Sequence, residues 1–409
     1  MSNVITHRHT ATPLGISLSK AQRDRIAQVR ELVQGEFKGR GKELLDGSFP
    51  WENMRKLADI GVLGMAVAKQ YGGSELGVFD TALVLEEIAK GCYITAMAVL
   101  GEVGTQTRVI SAFAPERIKQ KYLPQVCTCD CVLSICLTEP HAGTDVANYT
   151  TNAQIRGDKV ILNGTKSLIS RAEEAGLFVV FTRVDGQPGL DGIGCALVEQ
   201  GTPGLALTSK VHTLGGENLH EVTFTDCEIP LDQLVVRQSG LKSLLSAFNT
   251  QRCLNPSISL GLAEGAFDEA VAYAAQRKAF GRSIGDFQGM RWKLADMFIA
   301  IEAARGLLYR ACLSADPFPD ALLAATAKIR CNEMSLEVTS EALQIHGGFG
   351  FTDDSVVSRL YRGARYGTLG GGTSETLRDL IGKRVTSGFD AKAGISGLSF
   401  AQPIENGFI

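Results

Sequence analysis

Three stretches of the sequence carry residue types suited to holding a planar or phosphorylated ligand. Leu137-Thr138-Glu139-Pro140-His141-Ala142-Gly143-Thr144-Asp145-Val146 turns through proline and glycine, which would expose backbone N–H groups beside the hydroxyls of Thr138 and Thr144. Such a loop suits the edge of a heterocycle or a phosphate, although alone it also reads as a turn. Gln276-Arg277-Lys278-Ala279-Phe280-Gly281-Arg282, followed by Phe287-Gln288, sets guanidinium, amide and aromatic groups near a helix end. Arginine suits a bidentate pyrophosphate contact, and the same residues alone read as a solvated helix end. The third stretch is Tyr366-Gly367-Thr368-Leu369-Gly370-Gly371-Gly372-Thr373-Ser374-Glu375. Three consecutive glycines are costly to order, so the backbone is expected to approach something there, whereas an isolated glycine cluster marks a loop.

These stretches need elements to aim them. From Ser19 to about Lys119, Ile26, Val29, Leu32 and Val33, and again Leu83, Val84, Ile88 and Ala89, recur at helical spacing, with Pro50-Trp51-Glu52 as a helix start. The period changes after Asp130. Val132–Leu137, Val160–Leu162, Leu177–Thr182, Gly194–Val198, Leu205–Leu207 and Val222–Phe224 are short apolar or alternating segments between Gly, Asn, Asp and Pro turns. They predict a small antiparallel β domain that ends at Ile229-Pro230-Leu231. Long helical patterns return at 241–279, 285–313, 320–347 and 373–386 and predict an antiparallel bundle, with Pro256 expected to kink or interrupt the first. The fold class is therefore mainly α with a middle β domain. Its divisions are 1–130, 131–235 and 236–386, with a Gly- and Ser-rich tail at 387–409.

Composition narrows the function. A net charge of −3 with scattered basic residues argues against a nucleic-acid partner. No apolar run reaches the roughly 18 residues of a membrane span. Met1–Pro13, with His7, Arg8 and His9, lacks the apolar core of a secretory signal. Ten cysteines in a chain large enough to build its own core are expected to be reduced, which points to the cytoplasm. Cys127, Cys129 and Cys131 could hold a soft metal, but without a second ligand cluster the expected reading is alternation at a strand start and no metal.

The order helical, β, helical, combined with these motifs, is hard to assign to chance. The chain resembles the acyl-CoA dehydrogenase family of flavoproteins from about Ser19 to Val385. The resemblance rests on Leu-Thr-Glu-Pro-x-Ala-Gly-Thr-Asp at 137–145, Asn-Gly-x-Lys at 163–166, Arg-Lys-x-Phe-Gly at 277–281, Leu-Gln-Ile-x-Gly-Gly-x-Gly at 343–350 and Gly-Thr-Ser-Glu at 372–375. It implies an N-terminal helical domain, a small β-barrel domain and a C-terminal four-helix bundle. It also implies FAD, an acyl-CoA or acyl-carrier thioester as substrate, an electron-transfer flavoprotein as possible partner, and a homotetramer or homodimer. Position by position, Thr138, Gly143, Thr144 and Ser170 would flank the flavin. Arg277, Phe280, Gln288, Gln344, Gly347 and Gly348 would reach FAD, some across a subunit interface, and Thr373 and Glu375 would hold the adenine half. Phe248, Asn249 and Arg252 match the segment near the acyl-CoA.

The chain also departs from that family. The position of the usual catalytic glutamate is Gly371, and the alternative position on the helix is Gln251. Leu168 stands where a tryptophan covers the flavin, and Arg362-Gly363-Ala364 replaces Arg-Asp-Ala. A positioned base contributes about 10²–10⁴ in rate, so ordinary desaturation is expected to be weak. The Gly371 N–H can still stabilise an enolate oxygen. This combination is similar to the 3-sulfinopropionyl-CoA desulfinases, although the arginine expected to meet the sulfinate is Met97 here. Two other readings are a non-catalytic partner subunit of a hetero-oligomeric dehydrogenase and a flavin monooxygenase of the same fold.

Overall fold

Ser19 opens the first helix with a reciprocal cap: its hydroxyl accepts from the Gln22 N–H (3.2 Å) and the Gln22 side chain accepts from the Ser19 N–H (2.8 Å). The computed structural model describes residues 17–237 and 240–387, so Met1–Pro13 and the tail beyond Ser387 lie outside the described residues. The helices of the first region are α1 (Lys20–Leu32), α2 (Trp51–Asp59), α3 (Val78–Ala89), α4 (Tyr93–Val103), α5 (Thr105–Phe113) and α6 (Glu116–Cys127). Every residue of α4 is buried, so the helix is walled on all sides. Within buried α3, Glu86 accepts from the Tyr309 hydroxyl (2.9 Å) and pairs with Arg305 (2.5 Å), and Glu87 takes Arg30 through both carboxylate oxygens (2.8 and 2.9 Å). These pairs tie α3 to α1 and to the bundle.

The middle domain is one eight-stranded sheet of β1 (Val132–Cys136), β2 (Asn152–Arg156), β3 (Lys159–Ser170), β4 (Ala175–Val184), β5 (Ile193–Glu199), β6 (Leu205–His212), β7 (Asn218–Pro230) and β8 (Leu234–Val236). Its order is β6-β7-β3-β2-β4-β5-β8, with β1 also on β4. Three findings differ from the sequence expectation. β1 and β2 pair with β4 in parallel, so the sheet is mixed rather than antiparallel. β2 and β8 are additional strands, and β8 rejoins the sheet beyond Ile229-Pro230-Leu231. Finally, the Cys127–Cys131 run is not strand alternation: Cys127 ends α6, Cys129 has φ +64°, and the strand begins only at Val132. All ten cysteines are unpaired, and no cluster of three or more metal-ligating side chains occurs among the described residues.

The last region consists of α7 (Leu241–Gln276), α8 (Gln288–Leu313), α9 (Ala321–His346), α10 (Val356–Gly367) and α11 (Ser374–Ser387). Pro256 does not interrupt α7, contrary to expectation. The N–H it lacks would have met the carbonyl of Arg252, four residues back, and the bundle around the helix holds it together. α7 packs on α9, on α3 and on α10, and Leu241, Leu244 and Ala247 of its first turns share a core with Val109 and Ile110 of α5 and with Leu177 and Val179 of the sheet. Helix α10 lies outside the four predicted stretches and leads directly into the glycine run.

Candidate active site

The ends of β1 and β3 are fastened to each other. The Thr138 carbonyl accepts from the Ser167 N–H (2.8 Å), and the Ser134 hydroxyl donates to the Ser170 carbonyl (2.8 Å). Beneath them the Glu139 carboxylate accepts from the Thr150 N–H (2.7 Å), the Thr150 hydroxyl (2.9 Å), the Thr151 N–H (3.0 Å) and the Lys166 ammonium (2.9 Å). Both charged side chains are fully buried. Burial pushes the Glu139 carboxyl up, but Lys166 and the four hydrogen bonds override it and bring it to about 2. Glu139 is thus the hub that fixes the motif loop. The hydroxyls of Thr138, Thr144 and Ser170 make no hydrogen bond among the described residues, and nothing lies within 4 Å of the Cβ position of Gly143. This end of the sheet therefore offers free hydroxyls and room for a ligand edge.

Each glycine of the 370–372 run has its own reason. A Cβ on Gly370 would overlap the Tyr366 ring, while Gly371 and Gly372 have φ +74° and +93°. Lys328, almost fully buried on α9, donates to the carbonyls of Gly367 and Gly372 (2.9 Å each) and so pins the loop from both sides. Burial, reinforced by the Arg252 guanidinium, pushes its ammonium down to about 7. The Gly371 N–H has no partner among the described residues. A Cβ at 371 would have the Lys328 Cε at 3.4 Å and the Gln251 Cγ at 3.9 Å, and no carboxylate. The Gln251 Oε1 is buried without a partner and lies 2.8 Å from where a Cβ on Gly104 would stand. Arg252 donates to Asn249 Oδ1 (3.0 Å) and lies 6.0 Å from the Phe248 ring centre, and its Nε is unpaired. The structure therefore brings Gln251, Arg252, Asn249 and Phe248 together on α7, with Gln251 facing Gly371.

A second group gathers at the far end of the bundle. Tyr273 of α7 stacks on His346 of α9 (4.4 Å), which brings the helix ends carrying Arg277 and Gly347 side by side. His346 is buried, its Nδ1 2.8 Å from the Ala342 carbonyl, in a structural position. Arg277, Phe280, Gln288, Gln344, Gly347 and Gly348 are all exposed, Phe280 to 95%. No hydrogen bond or ion pair among the described residues joins them to the Thr138–Ser170 group. Thr373 caps α11, its hydroxyl accepting from the Thr376 N–H (3.2 Å), beside exposed Glu375.

Residues 19–130, 134–227 and 238–386 match, in order, the N-terminal, middle and C-terminal domains of acyl-CoA dehydrogenase. The chain belongs to the acyl-CoA dehydrogenase family. It is 37% identical to a 3-sulfinopropanoyl-CoA desulfinase of Cupriavidus necator over 89% of this chain and 95% of that one. It is 33% identical to a short-chain specific acyl-CoA dehydrogenase of Clostridium acetobutylicum over 91% and 100%. Butyryl-CoA dehydrogenase of Megasphaera elsdenii superposes with a TM-score of 0.87 at 30% identity, covering 91% and 99%. As a member of this family of oxidoreductases, the chain takes FAD as cofactor. The free hydroxyls of Thr138, Thr144 and Ser170, and the open space around Gly347 and Gly348, fit that group.

Several contacts around α4 and α10 escaped the sequence reading. Gly363 stands where a Cβ would come within 2.5–2.8 Å of Tyr93, whose hydroxyl donates to the Glu217 carboxylate (2.8 Å). The departure from Arg-Asp-Ala thus makes room for a Tyr93–Glu217 pair that no local pattern announces. Arg171, directly after Ser170, reaches α4 and donates to the Met97 carbonyl (2.7 Å). The signal available in the sequence was Gly101, a glycine in the last turn of a helix.

Proposed function

We propose that the chain binds an acyl-CoA thioester and lacks the glutamate base of ordinary desaturation, so that it catalyses an elimination of the desulfination type. The observation that carries this reading is the wall at Gly371. It offers an unpaired N–H, a neighbouring amide at Gln251, and no carboxylate within contact of its Cβ position. An amide cannot take an α-proton at neutral pH, whereas an unpaired N–H in a water-poor site can polarise a thioester carbonyl. The desulfinase relative at 37% identity supports the same direction.

The step balances without an external oxidant. A sulfinate R–SO₂⁻ and water give R–H and hydrogen sulfite. The C–S bond breaks with its electron pair left on carbon, carbon takes up a proton, and the sulfur leaves as sulfur dioxide that water hydrates. Lys328 holds the loop so that the Gly371 N–H faces the thioester, and Phe248 with Asn249 and Arg252 lines the approach along α7. FAD, which Thr138, Thr144 and Ser170 would help to hold, would supply a planar ring system able to accept a hydride. The exposed Phe280, Phe349, Phe351 and Trp292 favour a second copy covering the far end of the bundle, in a homodimer or homotetramer.

The FAD-loaded protein mixed with 3-sulfinopropanoyl-CoA is expected to release sulfite without bleaching the flavin, and butyryl-CoA is expected to bleach it slowly or not at all. Rapid bleaching by butyryl-CoA would overturn the reading. Gly371→Glu should raise butyryl-CoA oxidation by about 10²–10⁴ if the base is the missing part.

A further inference from the structure

We propose that Arg171 receives an anionic oxyacid group at the far end of the acyl chain, so that the preferred substrate is a short thioester bearing a carboxylate or sulfinate. This rests on the acyl-thioester reading above and adds to it the residue that selects the acyl group.

The backbone is bent to deliver this side chain. Arg171 and Leu168 both have φ +58°, a region that non-glycine residues enter at a cost and that tends to mark functional sites. Helix α4 is cleared to receive it, since a Cβ on Gly101 would overlap the guanidinium. One nitrogen, Nη1, is anchored on the Met97 carbonyl, and the buried Nε has no partner. The acids whose fields reach Arg171 are Glu102, Glu174 and Glu217, with Tyr366 nearby. None forms an ion pair with it. The Glu217 carboxylate is taken by the Tyr93 hydroxyl, and that of Glu102 accepts from the Leu133 N–H (3.2 Å). Burial pushes the carboxyls of all three glutamates up.

Position supplies the link to the acyl chain. Gly101 and Gly104 lie three residues apart on α4 and at its end, hence on one face and about 4.5 Å apart along the axis. Arg171 packs at Gly101, while Gln251 packs at Gly104 and also borders Gly371. Arg171 and Gln251 thus pack against neighbouring positions at the C-terminal end of α4, and Gln251 is the side chain that links this end to Gly371. A neutral tail of the same length would set a methyl group against a half-buried guanidinium.

The test is calorimetric binding of three CoA thioesters to the FAD-loaded protein: succinyl-CoA, 3-sulfinopropanoyl-CoA and butyryl-CoA. Charge-assisted hydrogen bonds of this kind predict that at least one anionic thioester binds about ten- to hundredfold more tightly than butyryl-CoA. The tighter of the two identifies the oxyacid. Arg171→Gln should bring that ratio near one, and Gly101→Ala, which keeps the charge but displaces it, should lower it. A wild-type ratio near one overturns the proposal, as does a ratio that a folded Arg171→Gln protein preserves. If Arg171→Gln does not fold, the wild-type ratio and Gly101→Ala decide. Tight butyryl-CoA binding without an anionic preference removes this inference alone, whereas failure of all three thioesters to bind removes the acyl-thioester reading as well.

Discussion

Glu139 and Lys166 lie fully buried in the middle domain, and guanidinium nitrogens of Arg108 and Arg252 are buried where α5 and α7 meet, yet among the described residues only the first two neutralise each other. Glu139 uses both oxygens on four donors. Arg108 has two buried nitrogens, Nε and Nη2, without a partner, and Arg252 has one. Burial pushes each of these guanidinium groups down to about 10. A buried charge that is paired and hydrogen-bonded is compensated within the fold, whereas one left open carries its desolvation cost uncompensated. The first region holds the Leu-Thr-Glu-Pro loop in place, and the second leaves guanidinium nitrogens open among the described residues.

The largest expected effect comes from breaking the satisfied region. Glu139→Ala strands the Lys166 ammonium, which lies 4.0 Å from the Tyr149 ring centre with no other carboxylate on it. Removing one partner of such a pair costs about 3–5 kcal/mol. A fall in urea midpoint of that size, accompanied by weaker FAD retention, is expected. A loss within experimental scatter would erase the distinction between the two regions.

A smaller effect belongs to Glu102, which lies between them. Burial raises its carboxyl from 4.5 to about 8, against the pull of Arg171 and the Leu133 N–H. The folded state therefore holds a proton that the unfolded state releases between those values. The stability contributed by this group is fully present below about pH 4.5 and is lost as pH rises through about 8. Linkage gives about 1.4 kcal/mol per pH unit where only the folded state is protonated. Urea midpoints measured from pH 5 to 8 should carry that downward contribution, and Glu102→Gln should remove it. An unchanged slope in the variant would mean that Glu102 is ionised and paired.

The two regions also differ in how far the sequence reveals them. The Leu-Thr-Glu-Pro loop was legible because its proline, glycine and hydroxyls act locally, and the helices and domain order were legible because periodicity is local. What Glu139 does was not, since its donors come from Thr150, Thr151 and Lys166, up to 27 residues away. β2 escaped because its Asn-Ala-Gln-Ile-Arg sequence is only half buried, and the parallel pairings on β4 escaped because strand direction depends on connections rather than on strand composition. Arg171 and Gly101 form a single feature split across 70 positions. Neither residue has meaning until the sheet is set against α4.

The smallest expected effect tests the open region most directly. Arg108→Met keeps the length of the side chain and removes the charge. Among the described residues the only group with an electrostatic pull on Arg108 is Cys253. No ion pair is broken by the change, and the desolvation cost of a lone guanidinium disappears. The protein without substrate should lose less than about 1 kcal/mol or gain stability, since replacing an unsatisfied buried charge by an apolar group is often neutral or stabilising. The same change made at a satisfied site would destabilise, so the sign of the shift separates the two kinds of buried charge. A loss of about 3 kcal/mol or more in urea unfolding, the size expected for a broken pair, would mean that Arg108 belongs to the fold. A neutral or stabilising result, combined with weaker binding of an anionic thioester, would place its missing counter-charge on the substrate.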